Sequence, residues 1–150
     1  NTSTGSCSQA TVANGTACDD GNPCTALDSC QSGACTSGAP VPPPADVGNT
    51  VALGNSGGST LVSWSLSAGA TSSDVLRGAL SALPVGPGGG DEICLGNDVA
   101  GTSVADANVP AAGDGFWYVI RGVSVCGVGS FGSAASRGAP TVGRTSTTCP

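Results

Sequence analysis

Three observations on this sequence predict an all-β protein, a sandwich of short antiparallel strands behind a small disulfide-rich N-terminal segment. Beyond residue 46, short apolar segments alternate with glycine- and proline-marked turns roughly every eight to twelve residues. Glycine occurs 25 times and no segment carries a helical apolar period. Eight cysteines stand in a chain with only two Trp, one Tyr and two Phe, so the large side chains that supply most buried area are scarce. A core that thin needs covalent staples.

The first element is "CDDGNPCTALDSCQSGAC", Cys18 to Cys35. A zinc site asks for paired C-x-x-C or mixed Cys/His ligands, whereas the gaps here are five, five and four residues and the chain has no His. A disulfide frame fits both the spacing and an oxidising compartment. Asp19, Asp20, Asn22 and Asp28 are hard oxygen donors and weak calcium candidates, but the run lacks the regular D-x-D-x-D-G order. The competing reading is that these side chains cap turns by bonding nearby backbone. "TSGAPVPPPADVG" follows, and Pro42 to Pro44 favour an extended spacer. The division expected is residues 1–38 as a disulfide-stapled segment, 39–45 as a Pro-rich linker and 46–150 as the β-sandwich.

Cys7, Cys18, Cys24, Cys30 and Cys35 precede the linker, and Cys94, Cys126 and Cys149 follow it, so both halves hold an odd number. Full oxidation then requires a bridge that crosses the linker or leaves the chain. Cys7 and Cys149 lie outside the recognisable motifs and are the candidates for it. Cys94 with Cys126 is the pair expected inside the sandwich, although spacing leaves other connectivities open.

The strand candidates of the sandwich are "NTVALG", "STLVSWSLS", "SDVLRGAL", "TSVADANV", "FWYVIRGVSV" and "SFGSAAS", separated by "GNSGG", "LPVGPGGG", "PAAGDG" and "CGVG". In the second, alternation sends Val62, Trp64 and Leu66 to one face and Leu61, Ser63 and Ser65 to the other. In the fifth, Phe116, Tyr118 and Ile120 share a face opposite Trp117 and Val119, so both faces are apolar. Such a strand is either central in a covered sheet or at an interface. Phe116, Trp117 and Tyr118 are the candidate interface residues.

The order "VSWS", "SDVLRG", then "TSVADANVPAAGDGFWYVIRGVSVCGVGSFGSAAS" resembles the fibronectin type III (immunoglobulin-like) pattern over Asp46 to Gly143, especially short bacterial variants in secreted proteins. That resemblance implies an early core Trp, an Arg on a middle strand, and a corner Tyr whose hydroxyl bonds backbone. The corner position falls nearest Phe116, which has no hydroxyl; Tyr118 stands two residues on. The opening stretch is similar to "C-DDGNPCT…D-C…G-C" repeats of bacterial secreted and surface proteins. Neither resemblance implies an activity.

Composition narrows function. Net charge is −6, and the four cations are Arg77, Arg121, Arg137 and Arg144, so no basic footprint for nucleic acid or an anionic membrane exists. The longest apolar run, "FWYVI", cannot span a bilayer. Without His or Lys, Ser–His–Asp, Cys–His and Schiff-base chemistry cannot be assembled from this chain. Asp91 and Glu92, with Asp98, Asp106 and Asp114 beyond them, are the remaining carboxylates for glycosidase-like work, and as sequence neighbours the first two are expected to be solvated loop charges pointing apart. No cofactor and no enzymatic role are expected. Asn1 and Asn14 fit the N-glycosylation triplet.

The chain begins at Asn1 without a basic-plus-apolar leader and reads as a mature product after signal-peptide removal, extracellular or on the cell surface. The expected function is a structural subunit of a bacterial surface fibre that self-associates into a homopolymer through inter-subunit β contacts, with "NTVALG" or the N-terminal arm adding a strand to a neighbour. The alternative is a monomeric secreted adhesion or binding module with a glycan or protein ligand. A hydrolase inhibitor reading would rest on "LPVGPGGG", whose glycines are costly to order.

Overall fold

The computed structural model describes residues 12–83, 90–134 and 142–150. The chain forms two compact units, Asn1–Pro42 and Pro43–Pro150. The described secondary structure is strands and two short 3-10 turns. Cys7 and Asn1 lie outside the described residues, as do Arg137 and much of "LPVGPGGG".

In the first unit β1 (Thr25–Ala26) pairs with β4 (Ala39–Pro40), and β2 (Ser29–Gln31) with β3 (Ala34–Thr36), all antiparallel. Ala39 and Pro40, expected in the linker, therefore belong to a ladder. The β2–β3 hairpin turns through Ser32 (φ 50°) and Gly33 (φ 85°), the two positive values that a tight right-twisted hairpin requires. Cys18 bonds Cys35, closing a span of 17 residues. Cys24, Cys30 and Cys126 are disulfide-bonded as well.

The second unit holds two larger antiparallel sheets. One orders β5 (Ala52–Ser56), β6 (Ser59–Ser63) and β9 (Ser103–Asp106) as β5-β6-β9. The other orders β7 (Ser72–Ala79), β8 (Ile93–Val99), β10 (Phe116–Ser124) and β11 (Gly127–Val128) as β11-β10-β7-β8. Val62 from the first sheet packs with Val75 and Ile120 from the second, together with Val47 and Trp64. This is the sandwich core. Trp64 donates its indole N–H to Ser73 Oγ at 2.9 Å, which satisfies the one polar atom it carries inward. Leu66, expected beside it, is instead 41% exposed, because β6 ends at Ser63.

Two strand expectations need correction. β8, "ICLGNDV", is absent from the strand candidates of the sequence: its alternation is broken by Gly96, Asn97 and Asp98, and its register against β7 is irregular between Ser73 and Leu76. Asp98, with φ 52°, is held by its N–H on Asp74 Oδ1 at 2.9 Å. The edge beside β10 is the two-residue β11, and of the strand candidate "SFGSAAS" residues 135 and 136 lie outside the described residues. Ser133–Ala134 forms β12 and pairs with β13 (Val142–Gly143) in a separate ladder.

A third layer covers the outer face of the four-stranded sheet. Leu76 and Trp117 pack there against Phe131 and Cys149. Trp117 lies over Gly78, where a Cβ would come within 2.0 Å of the indole, so this approach depends on glycine. Cys149 bonds Cys94, not the linker-crossing partner expected of it, and Cys94 does not bond Cys126. Arg121 clamps the same cover: Nε meets Asp74 Oδ2 at 2.7 Å, and Nη2 donates to the carbonyls of Cys149 at 2.8 Å and Pro150 at 3.0 Å.

Candidate functional site

Asp19, Asp20 and Asp28 come together in the first unit, each offering an oxygen within 4.8 Å of the others. Their oxygens accept hydrogen bonds that shape the turn. Asp28 takes Gly38 N–H at 2.9 Å and Asp20 N–H at 3.2 Å; Asp20 takes Asn22 N–H at 2.9 Å and Ser37 O–H at 2.5 Å; Asp19 takes Gly21 N–H at 2.8 Å. Asn22 caps Cys24 N–H at 3.0 Å. Asp20 is held below the usual carboxylate range, first by the Ser37 hydroxyl and then by the Asn22 N–H. Asp19, Asp20 and Asn22 thus cap local turns, whereas Asp28 joins Asp20 and Gly38, eight and ten residues away.

Asn14 is exposed, and its Oδ1 accepts Ser32 N–H at 2.9 Å. The amide oxygen thus ties the turn at Asn14 to the β2–β3 hairpin 18 residues on.

The candidate catalytic carboxylates are engaged separately. Asp91 accepts Ala79 N–H at 3.0 Å, Asp98 accepts the Ser72 hydroxyl at 3.2 Å, and Asp114 accepts Ser81 N–H at 3.0 Å. Glu92 is buried, against the expectation of a solvated loop charge, and takes the Ser146 hydroxyl at 2.6 Å. The sequence holds no signal for that contact, since the two residues meet only when the C-terminal segment folds over the sheet.

Asp106 is the most connected carboxylate. Arg77 Nη1 lies 2.9 Å from both its oxygens, Asn108 donates N–H at 3.0 Å and its amide at 2.8 Å, and Tyr118 O–H reaches Oδ2 at 3.0 Å. The Arg77 guanidinium carbon stands 4.3 Å over the Phe116 ring. The Tyr118 hydroxyl therefore serves a side-chain carboxylate on β9, not upstream backbone as the corner motif implies. Phe116, Trp117 and Tyr118 all belong to β10, an internal strand whose two faces are occupied by the unit's own clusters. Trp117 is buried in the outer cluster and Tyr118 packs against the sandwich core, while Phe116 is half-buried beneath the Arg77 guanidinium.

Burial works to raise the Asp106 pKa, yet Arg77, Asn108 and Tyr118 together outweigh it and hold the group at about 2. For the Tyr118 phenol, burial and then Asp106 raise its pKa. A carboxylate lower in the folded state than the roughly 3.9 of an unfolded Asp stabilises the fold above that value and loses this contribution as pH falls toward 2. Urea unfolding measured between pH 5 and 2 is expected to show a loss of about 2 kcal/mol from this group. An Asp106→Asn variant, less stable at neutral pH, should show a flatter curve over that window.

The three-stranded sheet presents a different kind of site. All five residues of β5, "ALGNS", are exposed, and none is charged or proline. Leu53 is paired with Val62, so the two share the inward face; Val62 is fully buried, whereas Leu53 is 59% exposed. Either the N-terminal arm, whose residues 1–11 lie outside the described residues, or the segment that forms β5 was expected to add a strand to a neighbour. β5 pairs along its whole length with β6 of its own chain, and among the described residues no strand pairs with its other edge. Edge strands are normally blunted by charge, proline or a bulge, and β5 carries none of these.

The fold and site define a disulfide-stapled, all-β protein of two units. Comparison with protein-family models, curated proteins and solved structures gives no match. Among the described residues, no helix is long and apolar enough to cross a membrane.

Proposed function

We propose that this chain is a non-enzymatic extracellular structural module, a subunit of a bacterial surface fibre in which copies associate through β contacts at the β5 edge. The observation that carries the reading is the uncharged edge of β5, unpaired among the described residues, with Leu53 exposed beside it. Backbone N–H and C=O groups along such an edge can extend the sheet by one strand, and Leu53 adds apolar burial to the join. The disulfides support an oxidising compartment. The sheet orders β5-β6-β9 and β11-β10-β7-β8, with Trp64 in the core between them, support a fibronectin type III-like sandwich for residues 46–150.

Electron microscopy of the native protein, with and without reductant, tests the reading. Regular filaments are expected, and Leu53→Lys should abolish them while the exposed position keeps unfolding stability within about 0.5 kcal/mol of the parent. Dispersed particles at all concentrations, or filaments indifferent to Leu53→Lys, would refute it. Survival of filaments on reduction would place the join in the sheet edge and not in a disulfide between chains. A monomeric secreted binding module is the second reading; it draws on a cavity in the second unit.

A further inference from the structure

A cavity of about 320 Å³ opens in the second unit, with Asp46, Gly48, Asn49, Gly132, Ser133 and Arg144 among its lining residues. It is at the lower end of the size range of small-molecule sites, which suits one sugar-sized ring. Arg144 is placed there by backbone. Its N–H donates to Gly132 C=O at 2.8 Å and its C=O accepts Phe131 N–H at 3.0 Å, and Nη1 lies 3.8 Å from where a Gly132 Cβ would stand.

The three described arginines are treated differently by the fold. Arg77 and Arg121 each face an aspartate at 2.9 and 2.7 Å. Among the described residues Arg144 has no such ion pair, and its Nε is buried without a hydrogen-bond partner. The fold that pairs the other two guanidiniums with aspartates leaves this one, half-buried and lining the cavity, without an anion of its own among the described residues. A carboxylate matches it, because two oxygens can meet the guanidinium fork. Asp46, on the same cavity, already takes one hydroxyl, Ser130 Oγ at 2.5 Å, and keeps a second oxygen for others. Asn49 and Ser133 add neutral polar groups suited to hydroxyls.

We infer that this cavity binds an acidic sugar, with the ligand carboxylate on Arg144 and its ring hydroxyls toward Asp46, Asn49 and Ser133. The inference is independent of filament formation. Hexuronic and sialic acids share the chemistry and form separate arms of the test.

The experiment is a titration of the isotope-labelled full chain with glucuronate, N-acetylneuraminate, glucose, acetate and alanine, followed by amide chemical shifts. One or both acidic sugars are expected to move the Gly48 and Gly132 amides and the Arg144 Nε–H signal. Glucose and acetate should bind at least about tenfold more weakly, since each lacks one half of the match. Arg144→Gln should weaken acidic-sugar binding by about tenfold or more. Asp46→Asn should narrow the preference for acidic sugar over acetate. Absence of shifts, shifts elsewhere, equal binding of glucose, or tighter binding of alanine would each overturn the inference. Should Arg144→Gln not fold, the shift map and ligand ranking of the parent chain decide alone.

Discussion

Asp106→Ala is expected to destabilise the second unit by about 3–5 kcal/mol, the largest effect of any single substitution here. The reason is not the strength of the pair but what remains when half is removed. Arg77 and Asp106 side chains are 6% and 0% exposed, so the guanidinium left behind would stay charged, buried and facing no anion. Asn108 and the Tyr118 hydroxyl would lose their common acceptor in the same step. The pair also joins β7 of one sheet to β9 of the other, so its loss loosens the packing of the two layers. Urea unfolding followed by tryptophan fluorescence measures this, since Trp64 lies in the core between the sheets. Arg77→Met with Asp106→Leu should cost less than the two single substitutions together, because no uncompensated charge remains. A single-variant loss below about 1 kcal/mol would show that water reaches Arg77 and that the burial argument fails.

Replacing Cys94 and Cys149 together by Ala is expected to cost about 4 kcal/mol, given a closed span of 55 residues. Chain entropy is one part of this. The other is local: Cys149 is fully buried against Leu76 and Trp117, and the bridge holds down the segment that covers them. Arg121 would keep its bond to Asp74 but would lose a fixed partner in the carbonyls of residues 149 and 150. The signature is therefore a lower urea midpoint together with greater quenching of Trp117, while Trp64 stays protected. Unchanged quenching would mean that the Arg121 and Ser146–Glu92 contacts suffice to hold the cover.

The candidate sites were legible to different degrees. Asp19, Asp20 and Asp28 were recognisable as a group because short spacing between turn residues brings them together whatever the rest of the chain does. The capping by Asp19 and Asp20 follows from local geometry, whereas Asp28 reaches Asp20 and Gly38 across a longer loop. Phe116, Trp117 and Tyr118 showed a strand apolar on both faces, but local alternation cannot say whether chain or partner covers it. The β5 edge was identified as a segment that pairs, although "GNSGG", expected as a turn, is strand through Ser56 and only Gly57 and Gly58 turn the chain into its partner β6. The Arg144 cavity had no signal, since Asp46, Gly132 and Arg144 approach through contacts nearly a hundred residues apart.

What the sequence by itself determined is the β character of the chain, the break at the proline run, the inward turn of Val62 and Trp64, and the need for disulfides in an aromatic-poor core. Each depends on a local quantity: period, a fixed φ, or side-chain volume. Tertiary structure alone decided that Cys94 bonds Cys149, that "ICLGNDV" is a strand, that Glu92 is buried, and that a third layer covers Trp117. These depend on which distant surfaces meet. A polar strand such as β8 is stabilised by the neighbour it pairs with and the segment laid over it, and neither leaves a mark on its own residues.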